Sequence, residues 1–169
     1  GPVADLIVAE MKRGNGLISL QDLKNYSSVY RDPVSGTYNG HEVISMGPPS
    51  SGGALLVNMM NMLENYPVDS LGWNSSDYIH LLTEVERRAY ADRAEHMGDS
   101  DFWDVPLEML TSKVYANTRI NDISLDIATP SSAVFASGVP GHESRETTHY
   151  SVVDQWGNAV SVTTTINLS

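Results

Sequence analysis

The stretch TTHYSVVD, Thr147 to Asp154, marks the point where the character of the sequence changes. Its alternating and β-branched residues predict a strand, and the Gly157-Asn158 pair that follows predicts a turn. The run VSVTTT, which ends at Thr165, predicts a second strand. The last part of the chain is therefore predicted to form a β-hairpin, whereas helical patterns dominate before it.

A polar segment leads into this hairpin. Residues 129–146 are rich in Pro, Gly, Ser and charged side chains, a composition typical of an exposed, mobile linker. The segment ends at Glu146 and delivers Thr147 into the first strand. A Thr hydroxyl is a weak nucleophile, but a Thr that begins a chain carries an α-amine, with a pKa of about 8, that can act as its general base. On this pattern alone, an ordinary strand residue remains the simpler interpretation of Thr147.

Short helices and a hairpin are predicted in the first part of the chain. Apolar residues recur at helical spacing up to Arg13, and Ser19 provides an N-cap for a second, short helix. From residue 33 to 46 the pattern alternates around the turn pair Asn39-Gly40. This alternation predicts a β-hairpin.

Two longer helices are predicted next. PPSSGG, Pro48 to Gly53, opens a Met-rich apolar helix that is expected to fill the core. The second helix begins after Ser76 and closes at Gly98. Its inward side is expected to hold Ile79, Leu82, Val85, Ala89 and Tyr90. Its solvated face is expected to hold Glu84, Glu86, Arg87 and Arg88. Residues 99–128 indicate loops and one small helix around 106–110.

Composition limits the classes of protein to which the chain can belong. With 169 residues, 41% apolar and 18% charged, it has a globular balance, and its apolar runs are far too short to span a bilayer. The formal net charge of −11 disfavours nucleic acid as a partner. The absence of cysteine excludes disulfides and a Cys nucleophile.

No metal and no cofactor is expected. The five His residues are scattered, with no pair at helical ligand spacing. PPSSGG lacks the Lys of a phosphate-binding loop. The first residues, GPVADLIVAEMKR, lack the order of a secretory signal, so any signal is expected to lie upstream.

Several motifs together resemble the γ-glutamyltransferase (γ-glutamyltranspeptidase) family. TTHYSVVD followed by DQWGNAVSVTTTIN resembles the start of that family's small subunit. The upstream motifs LISLQDLKNY, GHEVISMGPPSSGG and RAYADRAEHMGDSDFWDVP are similar to the end of its large subunit. The resemblance covers nearly the whole chain. It assigns residues 1–146 to the large subunit and residues 147–169 to the small subunit.

The resemblance implies an α/β (α+β) fold of the N-terminal-nucleophile hydrolase kind, an αββα sandwich that this chain covers only in part. It also implies self-cleavage between Glu146 and Thr147. Thr147 would then be the catalytic nucleophile, Thr165 the second catalytic residue, whose hydroxyl orients it, and Asn167 a contact to the substrate's α-amino group. Thr163, Thr165 and Asn167 alternate along the second strand, so the last two are expected to face the strand that bears Thr147.

The implied substrates are glutathione and related γ-glutamyl amides, with water or an amino acid or peptide amine as acceptor. The large and small subunits would pair after cleavage. Two alternatives stay open: an acylase of the same fold that acts on cephalosporin or glutaryl amides, and an uncleaved, non-catalytic relative. The family's oxyanion-hole and α-carboxylate-binding residues match nothing in this chain, so the chain by itself is expected to be inactive. A periplasmic, secreted or cell-surface location is also implied only by the resemblance.

Overall fold

The first two helices begin where the sequence supplies the expected signals. This computed structural model describes residues 1–135 and 147–165. Helix α1 spans Pro2–Arg13, and its proline occupies the first turn, where no backbone donor is needed. Helix α2 spans Leu20–Asn25 and starts with a capping box between Ser19 and Asp22. Both predicted helices are confirmed. They belong to a compact unit, Gly1–Asp32, and the remainder of the chain forms a second unit.

The second unit opens with the predicted hairpin. Strand β1, Val34–Tyr38, pairs antiparallel with strand β2, His41–Ser45. The two turn residues, Asn39 and Gly40, have φ angles of 48° and 80°. Positive φ at both central positions is what a tight type I′ turn requires, which explains the Asn-Gly pair. The prediction of a hairpin from residue 33 to 46 is confirmed.

Helix α3, Gly52–Leu63, packs closely against the end of this hairpin. A Cβ atom at Gly53 would lie 2.1 Å from the carbonyl oxygen of Met46, so only a glycine permits this approach. Further along the helix, Leu55 and Met62 are buried, and Met59 packs against them from a partly buried position. The expectation that this Met-rich helix fills the core is therefore confirmed.

The core of this unit is a cluster contributed by three helices. Helix α4 spans Ser76–His96, and helix α6 spans Lys113–Arg119. They meet helix α3 through the buried side chains of Leu55, Met62, Leu81, Val85, Ala89 and Ala116. Shorter elements connect these helices or follow them: α5 at Leu107–Leu110 and 3-10 turns at Val68–Ser70 and Ser131–Ala133. The small helix expected around 106–110 is confirmed, but α6 was not predicted.

The predicted orientation of α4 is only partly right. Val85 and Ala89 are buried as expected, whereas Ile79 is 52% exposed and Leu81 is buried instead. The expectation of a solvated charged face is wrong for Glu84 and Arg88, each of which is 1% exposed. The two side chains form an ion pair four residues apart, so a charged pattern that is typical of a surface is buried here.

The predicted C-terminal hairpin is present as well. Strand β3, Thr147–Val153, pairs antiparallel with strand β4, Ala159–Thr165. Within the described part of the chain, the two hairpins are separate two-stranded sheets. The loop between β3 and β4 spans residues 154–158 and includes the predicted Gly157-Asn158 pair.

Candidate active site

The two threonines expected to be catalytic are register partners in the C-terminal hairpin. The ladder runs from Thr147 opposite Thr165 to Val153 opposite Ala159. Residues that pair across an antiparallel ladder occupy the same face of the sheet. The structure therefore brings Thr147 and Thr165 together at the end of the hairpin that lies away from its turn.

The turn at the other end fixes this register. The Asp154 carboxylate accepts hydrogen bonds from the backbone N–H of Trp156 at 2.9 Å, from that of Asn158 at 3.0 Å, and from the Asn158 amide at 2.7 Å. The Asn158 side chain, followed by these backbone groups, holds the pKa of Asp154 below its ordinary value. Gly157 has a φ of 83°, which a glycine adopts without strain. Because a slip of one residue would move every side chain to the opposite face, this turn determines which residue stands opposite Thr147.

Two of the expected site residues lie outside the described residues. Glu146 immediately precedes β3, and Asn167 follows β4 by two positions. Within β4, Thr163 stands opposite His149, and Thr165, two positions later, stands opposite Thr147. Positions two apart in a strand share a face, which agrees with the alternation expected for Thr163 and Thr165.

Sequence reasoning missed a row of charged residues buried along α4. Glu84, Arg88 and Asp92 follow one another at intervals of four residues, and each is 1% exposed. Arg88 donates to the Glu84 carboxylate at 2.6 Å and to the Asp122 carboxylate at 3.0 and 2.9 Å. The available signal was the spacing itself, since residues four apart lie above one another on a helix.

Glu84 is held in its ionised form. Its burial raises the pKa, but hydrogen bonds from Thr129 and Arg88, together with the charge of Arg88, outweigh that effect and lower the pKa to about 2. One of these bonds runs from the Thr129 backbone N–H to Glu84 Oε1 at 3.0 Å. A carboxylate that stays charged at neutral pH and is fully engaged in this way is poorly suited to be a general acid or base.

Asp92 is the centre of a second set of contacts in the same row. It accepts a hydrogen bond from the Tyr115 hydroxyl at 2.9 Å and one from Arg119 Nε at 3.2 Å. Burial raises the pKa of Asp92, while Arg119 and Tyr115 oppose that shift. Burial and the neighbouring Asp92 raise the pKa of Tyr115 to about 12. These groups satisfy one another, as expected of a structural network.

The described residues offer no metal site. Across residues 1–135 and 147–165, no three His, Asp or Glu side chains come close enough to bind an ion together. None of the helices described in those ranges combines the length and the apolar character needed to cross a membrane.

Comparison with known sequences identifies relatives over the whole chain. The family model described as gamma-glutamyltranspeptidase matches residues 1–169. The glutathione hydrolase proenzyme of Escherichia coli (strain K12) is 46% identical over 167 residues, which are 99% of this chain and 29% of that protein. The acylase ACY 1 proenzyme of Pseudomonas sp. (strain SE83) is 41% identical over 167 residues, with the same two shares. The chain thus spans about 29% of the length of these curated relatives.

A solved structure shows the same similarity in three dimensions. The crystal structure of Helicobacter pylori gamma-glutamyltranspeptidase matches with a TM-score of 0.73 and 42% sequence identity. The match covers 86% of this chain and 42% of that one. The crystal structure of cephalosporin acylase from Bacillus halodurans matches as well, with a TM-score of 0.63 and 24% sequence identity. The two matches assign the chain to the N-terminal-nucleophile hydrolase fold, of which it carries one part.

Proposed function

Because the chain belongs to the gamma-glutamyltranspeptidase family, we propose that Thr147 is the nucleophile of a γ-glutamyl hydrolase or transferase. The hydroxyl becomes active when the chain cuts itself between Glu146 and Thr147. The observation that carries this proposal is the register of the hairpin, in which Thr147 and Thr165 are direct partners. Since the chain is about 29% of the length of its curated relatives, this activity is one of the whole protein.

Self-cleavage begins when the Thr147 hydroxyl attacks the carbonyl carbon of Glu146. The amide C–N bond breaks, the acyl group moves from nitrogen to oxygen, and the nitrogen leaves as the α-amine of Thr147. Water then hydrolyses the ester, which gives a carboxylate on Glu146 and a free N-terminal Thr147. The new amine has a pKa of about 8 in an ordinary environment, so it can accept the hydroxyl proton near neutral pH.

In turnover the same hydroxyl attacks the γ-amide carbonyl of a γ-glutamyl compound such as glutathione. The amine leaves after protonation, and the γ-glutamyl group remains as an ester on Thr147. Water, or the amine of an amino acid or peptide, takes the acyl group and restores the hydroxyl. Thr165 orients the nucleophile through its own hydroxyl, and Asn167 contacts the α-amino group of the substrate.

An acylase is the second candidate function. The observation that favours it is the similarity to the acylase ACY 1 proenzyme, which is 41% identical over 99% of the present chain. A glutaryl side chain lacks the α-amine that Asn167 would bind in a γ-glutamyl group. The two candidates therefore differ in the role of Asn167 and share that of Thr147.

The test uses the protein expressed from its complete gene, with a γ-glutamyl anilide and a glutaryl anilide as substrates. We expect Thr147→Ala to abolish turnover of both, by about 10⁴-fold or more, because no other group replaces a lost nucleophile. Thr148→Ala is the matched control and should retain most of the activity. Substantial turnover by Thr147→Ala would exclude Thr147 as the nucleophile. A marked preference of the unaltered protein for the glutaryl substrate would favour the acylase.

The remaining features of the proposal concern the mature protein. The segment before the cut and the segment after it stay together as the large and small subunits of one enzyme. We also propose that the protein works in the periplasm, at the cell surface or in the medium, as an enzyme of extracellular γ-glutamyl compounds. Immunodetection of the protein in separated periplasmic and cytoplasmic fractions tests this location.

A further inference from the structure

The segment Asp122–Phe135, which we call the strap, connects α6 to the residues that precede the cleavage bond. It contains one 3-10 turn, Ser131–Ala133, and otherwise no helix or strand. Ile123 packs against the hydrophobic core, but most of the other side chains are exposed, so packing of apolar groups does not explain the rest of its path. Polar contacts to α4 and α6 supply that explanation.

Contacts occur along the length of the strap. Near its beginning, the Ser124 carbonyl lies 2.8 Å from His80 Nε2. In its middle, Arg87 donates to the Thr129 carbonyl at 2.7 Å and to the Ser131 hydroxyl at 3.2 Å. Asp122, at the start of the strap, contacts Arg88, and from Ser124 to Ser131 the strap then advances along α4 in the same direction as that helix.

The end of the strap is held by a second arginine. Arg119 Nη1 donates to the carbonyl of Phe135 at 3.0 Å, while its Nη2 donates to the carbonyl of Arg88 at 3.1 Å. Arg119 thus joins the last described residue before the cleavage bond to the middle of α4. A backbone carbonyl contact of this kind fixes the path of the chain and is independent of the identity of the Phe135 side chain.

Buried carboxylates hold both arginines in place. Arg87 pairs with Glu84 at 2.9 Å, and Arg119 pairs with Asp92 at 3.1 Å. Glu84 and Asp92 are each 1% exposed, so their side chains have little freedom to follow a moving partner. An arginine whose planar guanidinium group is already held by a carboxylate loses little side-chain entropy when it binds a further carbonyl. The two contacts to the strap are therefore preorganised.

This inference rests on the proposed self-cleavage. We propose that the strap is the fixed upstream anchor of the chain that reaches the cleavage bond, and that Arg87 and Arg119 are positioning residues for self-cleavage. Eleven residues, 136–146, separate the anchor at Phe135 from Thr147. Without the contacts of the strap, twenty-five residues, 122–146, would separate Thr147 from residue 121, and more than doubling a connecting segment lowers the probability that its ends meet by about threefold.

The experiment follows the conversion of the precursor made from the complete gene, by pulse-labelling during cell-free synthesis. We expect the double variant Arg87→Gln/Arg119→Gln to cleave itself about threefold more slowly than the unaltered protein. The double variant Arg87→Lys/Arg119→Lys should recover part of the lost cleavage rate, because a lysine keeps the positive charge but lacks the planar guanidinium group that binds two acceptors at once. Arg13→Gln is the control, since it removes an exposed ion pair with Glu10 from the other compact unit.

Turnover by the mature enzyme distinguishes a positioning role in self-cleavage from a purely structural role of the two arginines. The anchor acts only in self-cleavage. After cleavage is complete, kcat and KM of the arginine variants for a γ-glutamyl anilide should therefore equal those of the unaltered protein. Cleavage at the unaltered rate would overturn the inference. A parallel loss of cleavage rate and kcat would also overturn it, because that result indicates a structural role only.

A second variant keeps the test decisive if the arginine variants fail to fold. Insertion of eleven Gly and Ser residues after Phe135 leaves every contact of the strap intact and doubles the number of residues between Phe135 and Thr147. The same slowing of about threefold is expected, and an unchanged rate would contradict the anchor. If the unaltered precursor never yields an N-terminal Thr147, the proposed function fails. If it does and these variants cleave normally, only the anchor fails.

Discussion

Helix α4 and the C-terminal hairpin place their polar residues in opposite ways. On α4, the charged side chains of Glu84, Arg88 and Asp92 are each 1% exposed and are paired with one another or with neighbouring residues. On the hairpin, the apolar side chains near the turn are exposed: Val152 55%, Val153 67%, Trp156 77% and Val160 57%. One region buries charge and the other exposes apolar surface.

The difference indicates a division of tasks. A buried charge network is strongly destabilised when one partner is removed, which makes α4 a stiff element with a defined geometry. A two-stranded hairpin is only marginally stable by itself in water. Its geometry depends on the turn at Asp154. The residues proposed to react are thus carried by the hairpin, whereas the helical region holds the buried charges.

The largest effect on stability is expected from breaking the buried network. Arg88→Met removes one of the two arginines paired with the buried Glu84 carboxylate, which should lower the free energy of unfolding by about 3–5 kcal/mol. Urea unfolding, followed by hydrogen exchange in peptides from residues 76–96, measures this locally. Arg13→Met is the control and should have no measurable effect on this region. A loss as small as that of the control would show that α4 does not depend on its charges.

The second effect is a loss of folding stability at acidic pH. The pKa of Glu84 falls from an ordinary 4.5 to about 2, so its ionisation stabilises the fold above pH 4.5 by about 3 kcal/mol. That contribution should be lost as the pH falls from 4.5 to 2. The pKa of Asp92 shifts in the opposite direction and contributes with the opposite sign. The difference between the unaltered protein and Glu84→Gln therefore isolates Glu84, and parallel curves for the two proteins would contradict the prediction.

The third effect belongs to the hairpin. Thr165→Val keeps the shape of the side chain and removes its hydroxyl, so self-cleavage should slow by about 10- to 100-fold. Thr164→Val is the control, because Thr164 stands opposite Thr148 in the register. The rate of appearance of the two fragments on a denaturing gel measures the effect. Equal rates for the two variants would remove Thr165 from the proposed site.

The smallest effect is expected from the turn. Asp154→Ala removes the three hydrogen bonds that define the loop, which should slow self-cleavage by about two- to tenfold by loosening the register. The control is Asp99→Ala, in a loop outside the hairpin. It also removes a carboxylate that accepts a hydrogen bond from a backbone N–H, that of Asp101. If the two variants cleave at the same rate, the turn does not determine the register.

Much of this architecture could be predicted from the sequence because local signals were strong. Ser19, the Asn39-Gly40 pair and the change of pattern at Thr147 each act through neighbouring residues. The structure has a helix after Ser19, a turn at Asn39-Gly40 and a strand that begins at Thr147. The buried row on α4 could not be predicted in this way. Whether Arg88 faces solvent depends on Asp122, which is distant in sequence and approaches only when the chain folds.

The candidate site likewise has features that follow from local sequence and features that depend on residues distant in sequence. The register that pairs Thr147 with Thr165 follows from the length of the turn, and the Gly157-Asn158 pair predicts that turn locally. The contacts of Arg87 and Arg119 to the strap depend on the packing of α6 against the helical core, and no local pattern announces them. Helix α6 itself was missed because its seven residues form too short a periodic segment.

The most direct test of the central claim is the identity of the N-terminus that the protein exposes after synthesis. The protein is expressed from its complete gene, and its components are analysed by intact mass and N-terminal sequencing, beside Thr147→Ala. We predict two fragments, one that ends at Glu146 and one that begins at Thr147, and a single uncut chain for the variant. A single uncut chain from the unaltered protein, or a cut at any other bond, would contradict the account.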